Sequence, residues 1–250
     1  YEYSFPWWHW DYWIELDPWY GVISNHYKST ALHELFHMVQ FAYPGTHEIV
    51  GDNYNKFVKE GQAQLMEDKT FWDQDIWSGA SYLSEVDYYL NHPHETLTDQ
   101  EYSSCLFWNY FTEQYGGWTT EPHRGIDALH AFWWFASDDD AGGIKTLNKA
   151  LELLCTHYGR PVVTFEDVFK DFIVANYAKD LTGPNVPSKY KYIDGTTDGG
   201  LYPCRYDPIT QSYTLRGPVL SDDRTLSYGQ SIEGAAALNK YAARYFRIKP

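Results

Sequence analysis

Three shortages in this chain of 250 residues each remove a class of function. Cations are few: 19 lysines and arginines face 34 aspartates and glutamates, a formal net charge of -15. That field repels phosphate backbones and anionic lipid, and no basic cluster offsets it, so nucleic acid is not an expected partner. Long apolar runs are missing as well. Stretches such as Ala131 to Ala136 fall well short of the roughly 20 residues a spanning helix needs, which excludes membrane insertion and implies a soluble chain. Cysteine is scarce, and Cys105, Cys155 and Cys204 are too far apart for C-x2-C metal knuckles. They allow one disulfide with a spare thiol, or three reduced thiols. The sequence opens without methionine on an aromatic run, which reads as a mature or trimmed protein.

Aromatic residues are abundant instead, with 23 tyrosines and 11 tryptophans. They fit either an aromatic core or a cleft that stacks sugars or aromatic side chains, and composition alone does not choose.

The apolar pattern predicts a mainly helical α+β chain. A short strand over Tyr12 to Leu16 leads to a helix from Ser29 to Tyr43, stopped by Pro44-Gly45. A second helix is expected from about Asn55 to Asp68. Thr98-x-x-Glu101 has capping-box spacing and predicts a helix over Thr98 to Tyr115, ended by Gly116-Gly117. Further helices are expected over Ile126 to Ala136, Ile144 to Tyr158 and Thr164 to Leu181, the last opening on Thr164-x-x-Asp167. From Tyr190 onward, short alternating runs such as Ser212 to Leu215 and Tyr241 to Ile248 suggest strands. The expected division is a catalytic unit over 1–189 and a β-rich appendage, or the start of another module, over 190–250. The acidic run Ser137 to Gly143 lacks the full ligand spacing of a calcium loop and reads as a solvated loop, with Ca2+ as the alternative.

The stretch TALHELFHMVQFAY, Thr30 to Tyr43, carries the chemistry. His33 and His37 lie one turn apart on one helix face and can both present a ring nitrogen to one ion. Glu34 is rotated by about 100° from His33, beside such an ion without being its ligand. Zinc makes a water acidic enough to lose a proton near neutrality, and a carboxylate so placed is a general base for attack on a carbonyl. A catalytic zinc needs a third protein ligand and an open position. The extended pattern HExxHxxGxxH is excluded by Gln40 and Tyr43. His47 and Asp52 fall in a polar loop without rigid support. Glu60 sits on the second helix, and its small neighbours Gly61 and Ala63 would allow close approach to the histidine helix, so Glu60 is the expected third ligand. Glu67, about two turns on, reads as a surface or supporting carboxylate. Gln64, with Glu67 and Asn53 as competitors, is the expected hydrogen-bond partner of a ligand histidine.

His33-Glu34-Leu35-Phe36-His37, followed by Phe57-Val58-Lys59-Glu60-Gly61-Gln62-Ala63, resembles the gluzincin metallopeptidases, the group of thermolysin and the zinc aminopeptidases. The stretch from about Tyr12 to Leu181 is similar to compact bacterial gluzincin domains with the phrase W-L-x-E-G-x-A, with Phe57-Val58 in place of Trp-Leu. The resemblance implies a zincin-like domain with one catalytic Zn2+ on His33, His37 and Glu60, and a helical C-terminal lobe. It implies hydrolysis of peptide bonds in a protein or peptide substrate, taken as endopeptidase action, and an extracellular location. It also implies a later phenol or imidazole that stabilises the oxyanion, here Tyr102, with Tyr110, Tyr82 and His123 as other donors. Two other classes compete. One is a glycan-binding or glycan-processing module, for which no carboxylate pair can be nominated. The other is an inactive zinc scaffold, which would gain nothing from Glu34.

Overall fold

The computed structural model describes residues 25–43, 53–70, 82–136, 143–178, 185–193, 204–207, 212–215, 218, 220–225 and 238–249. The expected strand at 12–16, the loop donors His47 and Asp52, and nearly all of the acidic run at 137–143 lie outside these residues. The described chain is mainly helical, as its apolar spacing predicts. The helices are α1 (Asn25–Phe41), α2 (Asn53–Thr70), α3 (Tyr82–Asn91), α4 (Cys105–Tyr115), α5 (Ile126–Ala136), α6 (Ile144–His157) and α7 (Phe165–Ala178). Four short strands follow, β1 (Cys204–Asp207), β2 (Ser212–Leu215), β3 (Leu220–Thr225) and β4 (Tyr245–Lys249). β1 and β2 pair antiparallel, and β3 and β4 pair parallel. Among the described residues no helix is long and apolar enough to cross a membrane.

α4 is the central helix of the core. Nine of its residues, Cys105 through Glu113, are buried. Trp108 packs edge-on against Phe111 and Phe132 at centroid separations of 5.8 and 5.3 Å, and Phe57 of α2 lies 5.1 Å away. Rings in such tilted and edge-to-face contacts bury large areas and interact favourably beyond that burial. Much of the aromatic excess among the described residues therefore fills the core. Trp118 and Trp134, like Tyr88, Tyr102, Tyr177 and Phe246, are instead exposed. The thiols of Cys105 and Cys155 are free and buried.

Two capping signals with the same spacing end differently. At α7 the Asp167 carboxylate accepts from the backbone N–H of Thr164 at 3.1 Å and from its hydroxyl at 2.8 Å, a closed capping arrangement. At Thr98-x-x-Glu101 the expected single helix does not form. Two 3-10 turns, Leu97–Asp99 and Tyr102–Ser104, precede α4, because Gln100 is extended and Glu101 lies outside the helical region. The side chains of Ser103 and Ser104 bond to the Gln100 side-chain oxygen and the Glu101 carbonyl, local alternatives that compete with helix.

Parts of the chain beyond residue 190 belong to this body. Tyr192 is buried and its hydroxyl donates to Asn176 at 2.6 Å. The Leu97 N–H donates to the Tyr241 carbonyl, and the Ala243 N–H to the Pro93 carbonyl. Tyr241 adopts φ 58°, a conformation costly for a residue with a side chain. Its ring packs edge-on to Phe165 and Phe169 at 4.8 and 5.9 Å, which holds it there.

Candidate metal centre

α1 and α2 meet through polar side chains. On α1 the buried residues are Ser29, His33 and Gln40, one helical stripe, whereas Leu35 and Val39 are exposed. On α2, Gln64 and Glu67 are buried on the Glu60 side, while the buried Gln62 and Lys69 lie on the opposite side of the helix. A helix that turns Ser29, His33 and Gln40 inward and leaves Leu35 and Val39 outside partly inverts the usual pattern, and buried polar groups are the informative ones. The inverted stripe marks the site.

At its centre, His33, His37 and Glu60 come together, one ligand atom of each lying within 4.8 Å of the others. Glu60 Oε2 is 3.1 Å from His33 Nε2 and 3.3 Å from His37 Nε2. Metal–ligand bonds of 2.0–2.1 Å at tetrahedral angles place neighbouring ligand atoms about 3.3 Å apart. The two carboxylate–imidazole separations thus match that of a shared ion's coordination shell, and two imidazoles with one carboxylate suit zinc chemically. The two rings are nearly perpendicular, with centroids 4.8 Å apart.

Without a metal the same atoms compete for protons. Burial alone would lower the pKa of His33, but the carboxylates of Glu60 and Glu67 outweigh it and raise the group to about 9. Burial would raise Glu60, yet the neighbouring imidazoles of His33 and His37 hold it down at about 2. A proton on His33 is what a bound cation would displace.

Each imidazole has a different backing. His37 Nδ1 lies 2.8 Å from Gln40 Oε1, and Gln40 Nε2 donates to the Lys59 carbonyl at 3.1 Å. Behind His33, Glu67 Oε1 stands 3.5 Å from Nδ1, beyond a good hydrogen bond, and that nitrogen has no hydrogen-bond partner. Glu67, one of the expected supporting residues, thus stands near an imidazole. Gln64 is buried, and the Asn53 side chain lies outside the described residues. Gln40 was not expected from sequence. Its signal was its place three residues after His37, on the same helix face.

Gly61 acts differently from the expectation. A Cβ on it would fall 2.0 Å from Ser104 Oγ and 2.9 Å from Trp108 Cδ1, so its small size admits the turn before α4. Ser104 and Trp108 both donate to the Phe57 carbonyl, at 2.9 and 2.7 Å, and tie α2 to that turn. From the other side Trp133 Nε1 donates to Gln62 Oε1 at 2.7 Å. The helix that carries Glu60 is thus fixed on both sides.

Glu34 is exposed, one residue from the buried His33. Tyr102 is 40% exposed, and its ring centre lies 5.6 Å from that of His33. Partial burial, then the charges of Glu60, Glu101, Glu34 and Glu85, raise the phenol's pKa, which keeps it a protonated donor. The alternative donors are placed otherwise. Tyr110 is buried and its hydroxyl is committed to the Lys189 carbonyl, Tyr82 is buried, and His123 packs against Trp118. A shallow cavity of about 260 Å³ between α5 and α6, lined by His130, Trp134, Leu153 and His157 among others, includes no residue of the cluster. Comparison with protein-family models, curated proteins and solved structures finds no match for the chain.

Proposed function

We propose that the chain is a zinc-dependent peptidase of the gluzincin kind, acting on a protein or peptide substrate. The observation that carries this reading is the convergence of His33, His37 and Glu60, one ligand atom of each within 4.8 Å of the others, across two packed helices. An inactive scaffold would not need Glu34 next to that set. When bound, zinc supplies Lewis acidity, which polarises the scissile carbonyl and makes a water a competent nucleophile near neutral pH.

The chain's own residues do the rest. His33, His37 and Glu60 contribute two neutral donors and one negative charge, so the loaded centre keeps a net positive charge to attract the carbonyl oxygen. Glu34, exposed and adjacent to a ligand, takes the proton of the attacking water and passes it to the leaving amine. Tyr102, held protonated among carboxylates, donates its O–H to the carbonyl oxygen as negative charge builds there. The test is zinc content together with hydrolysis of a broad peptide library. One zinc per chain, with hydrolysis lost on chelation and regained on zinc addition, supports the reading. A chain that holds no zinc, or one whose hydrolysis ignores chelation, refutes it.

A further inference from the structure

Gln40 is completely buried, at 0% exposure, and it is bonded at both ends of its amide. The Lys59 carbonyl can only accept a hydrogen bond, so the amide must turn its NH2 group towards it. Oε1 then faces His37 Nδ1 at 2.8 Å, and this oxygen can only accept. It follows that His37 carries a proton on Nδ1. In the neutral ring the lone pair is left on Nε2, the nitrogen that points at Glu60 from 3.3 Å. Lys59 immediately precedes Glu60, so one side chain fixes the ring of one metal donor and grips the backbone beside another.

We propose that Gln40 is a positioning residue of the metal centre: its amide selects the Nδ1–H tautomer of His37 and ties that ring to the α2 backbone next to Glu60. The inference rests on the zinc-centre reading given above. It also separates the two histidines. His37 is held in its coordinating tautomer before any cation arrives, whereas His33 has no hydrogen-bond partner on Nδ1 and faces carboxylates on both sides. His37 with Glu60 is thus the prepared half of the site. Carboxamide backing, in place of carboxylate, keeps the His37 side of the centre free of additional negative charge.

The experiment uses the whole chain with 15N-labelled histidine. In the metal-free protein, 1H–15N long-range correlation spectra identify which nitrogen of neutral His37 bears the proton, and chelator competition measures zinc affinity separately. The wild type should show the Nδ1–H form. Gln40→Leu should show a mixture of tautomers and bind zinc about 10- to 100-fold more weakly, the range typical for loss of a ligand's supporting bond. Gln40→Glu keeps an acceptor for Nδ1 and should keep the tautomer, while losing the bond to Lys59. Wild-type tautomer and wild-type zinc affinity in Gln40→Leu would overturn the proposal and leave the zinc centre standing. A wild type that binds no zinc would instead refute the centre itself, a distinct result because the tautomer is read without metal. If Gln40→Leu does not fold, Gln40→Met and Gln40→Glu decide the matter by the same spectra.

Discussion

Glu34 and Tyr102 reach solvent, whereas the nearby His33 is buried, so their roles can be tested without dismantling the site. Glu34→Gln removes the proton acceptor and keeps the shape. We expect unchanged zinc content and a loss of about 10²- to 10⁴-fold in kcat, measured with a peptide substrate. Tyr102→Phe removes one donor used only as charge develops. It should lower kcat by about ten- to a thousand-fold with KM and zinc content little changed, and a change confined to KM would count against the role. The proton on His33 makes a third prediction. Its folded pKa of about 9 exceeds the ordinary 6.5, so its contribution to metal-free stability is complete below 6.5 and is lost as pH rises through 9. Glu60 is held near 2 against an ordinary 4.5, so its contribution is present above 4.5 and lost as pH falls towards 2. Zinc must displace the His33 proton, so affinity should climb about tenfold per pH unit until about pH 9 and then level off. Isothermal titration in buffers of different ionisation enthalpy would count the released proton directly. A flat affinity across that range would place the proton elsewhere.

At the scale of the elements, Gly61 gives the sharpest case. In a helix interior, Gly→Ala is ordinarily stabilising by up to about 1 kcal/mol. Here the added Cβ would meet Ser104 Oγ at 2.0 Å. Overpacking of about 1–3 kcal/mol should win, and Gly61→Ala should lower Tm by several degrees in a thermal melt. A raised Tm would show that the turn yields. The same region shows what was legible in sequence. α5 was predicted at its observed ends, and α1, α2, α6 and α7 were predicted to within a few residues, since their apolar spacing and end signals agree. α3 was not assigned, although positions 82, 83, 86, 89 and 90 are buried at helical spacing. Its tyrosines and Val86 have weak helix propensity, which hides the pattern in a single sequence. Thr98-x-x-Glu101 misled because Ser103 and Ser104 bond back to Gln100 and Glu101, and the Ser104 hydroxyl also lies 2.9 Å from the Phe57 carbonyl, 47 residues away, a tertiary contact invisible to local reading. For the same reason the His33–His37 pair could be read from spacing and Glu60 from its place on the next helix, whereas the role of Gln40 depends on Lys59, 19 residues away and on another helix.

Across the whole molecule, the segment from Tyr241 to Tyr245 closes the aromatic core from far along the chain. Tyr241 covers Phe165 and Phe169, and Tyr245 stacks on Tyr177 while its hydroxyl donates to the Ile173 carbonyl at 3.0 Å. Tyr241→Ala keeps the left-handed backbone and loses both ring contacts. Because Tyr241 is only partly buried, we expect about 2 kcal/mol of destabilisation, below the 3–5 kcal/mol typical of a fully buried ring. Denaturant unfolding would measure it, and an unchanged midpoint would show that the ring adds nothing to the core. The position of this segment has a consequence for biosynthesis. A chain emerging from the ribosome presents α7 long before Tyr241 exists, so the Phe165 and Phe169 surface stays open until translation has passed residue 245. At about 5–20 residues per second, that interval lasts several seconds. For that time the nascent protein lacks the Tyr241 cover, and Phe165 is shielded only by rings such as Phe107 that are already made.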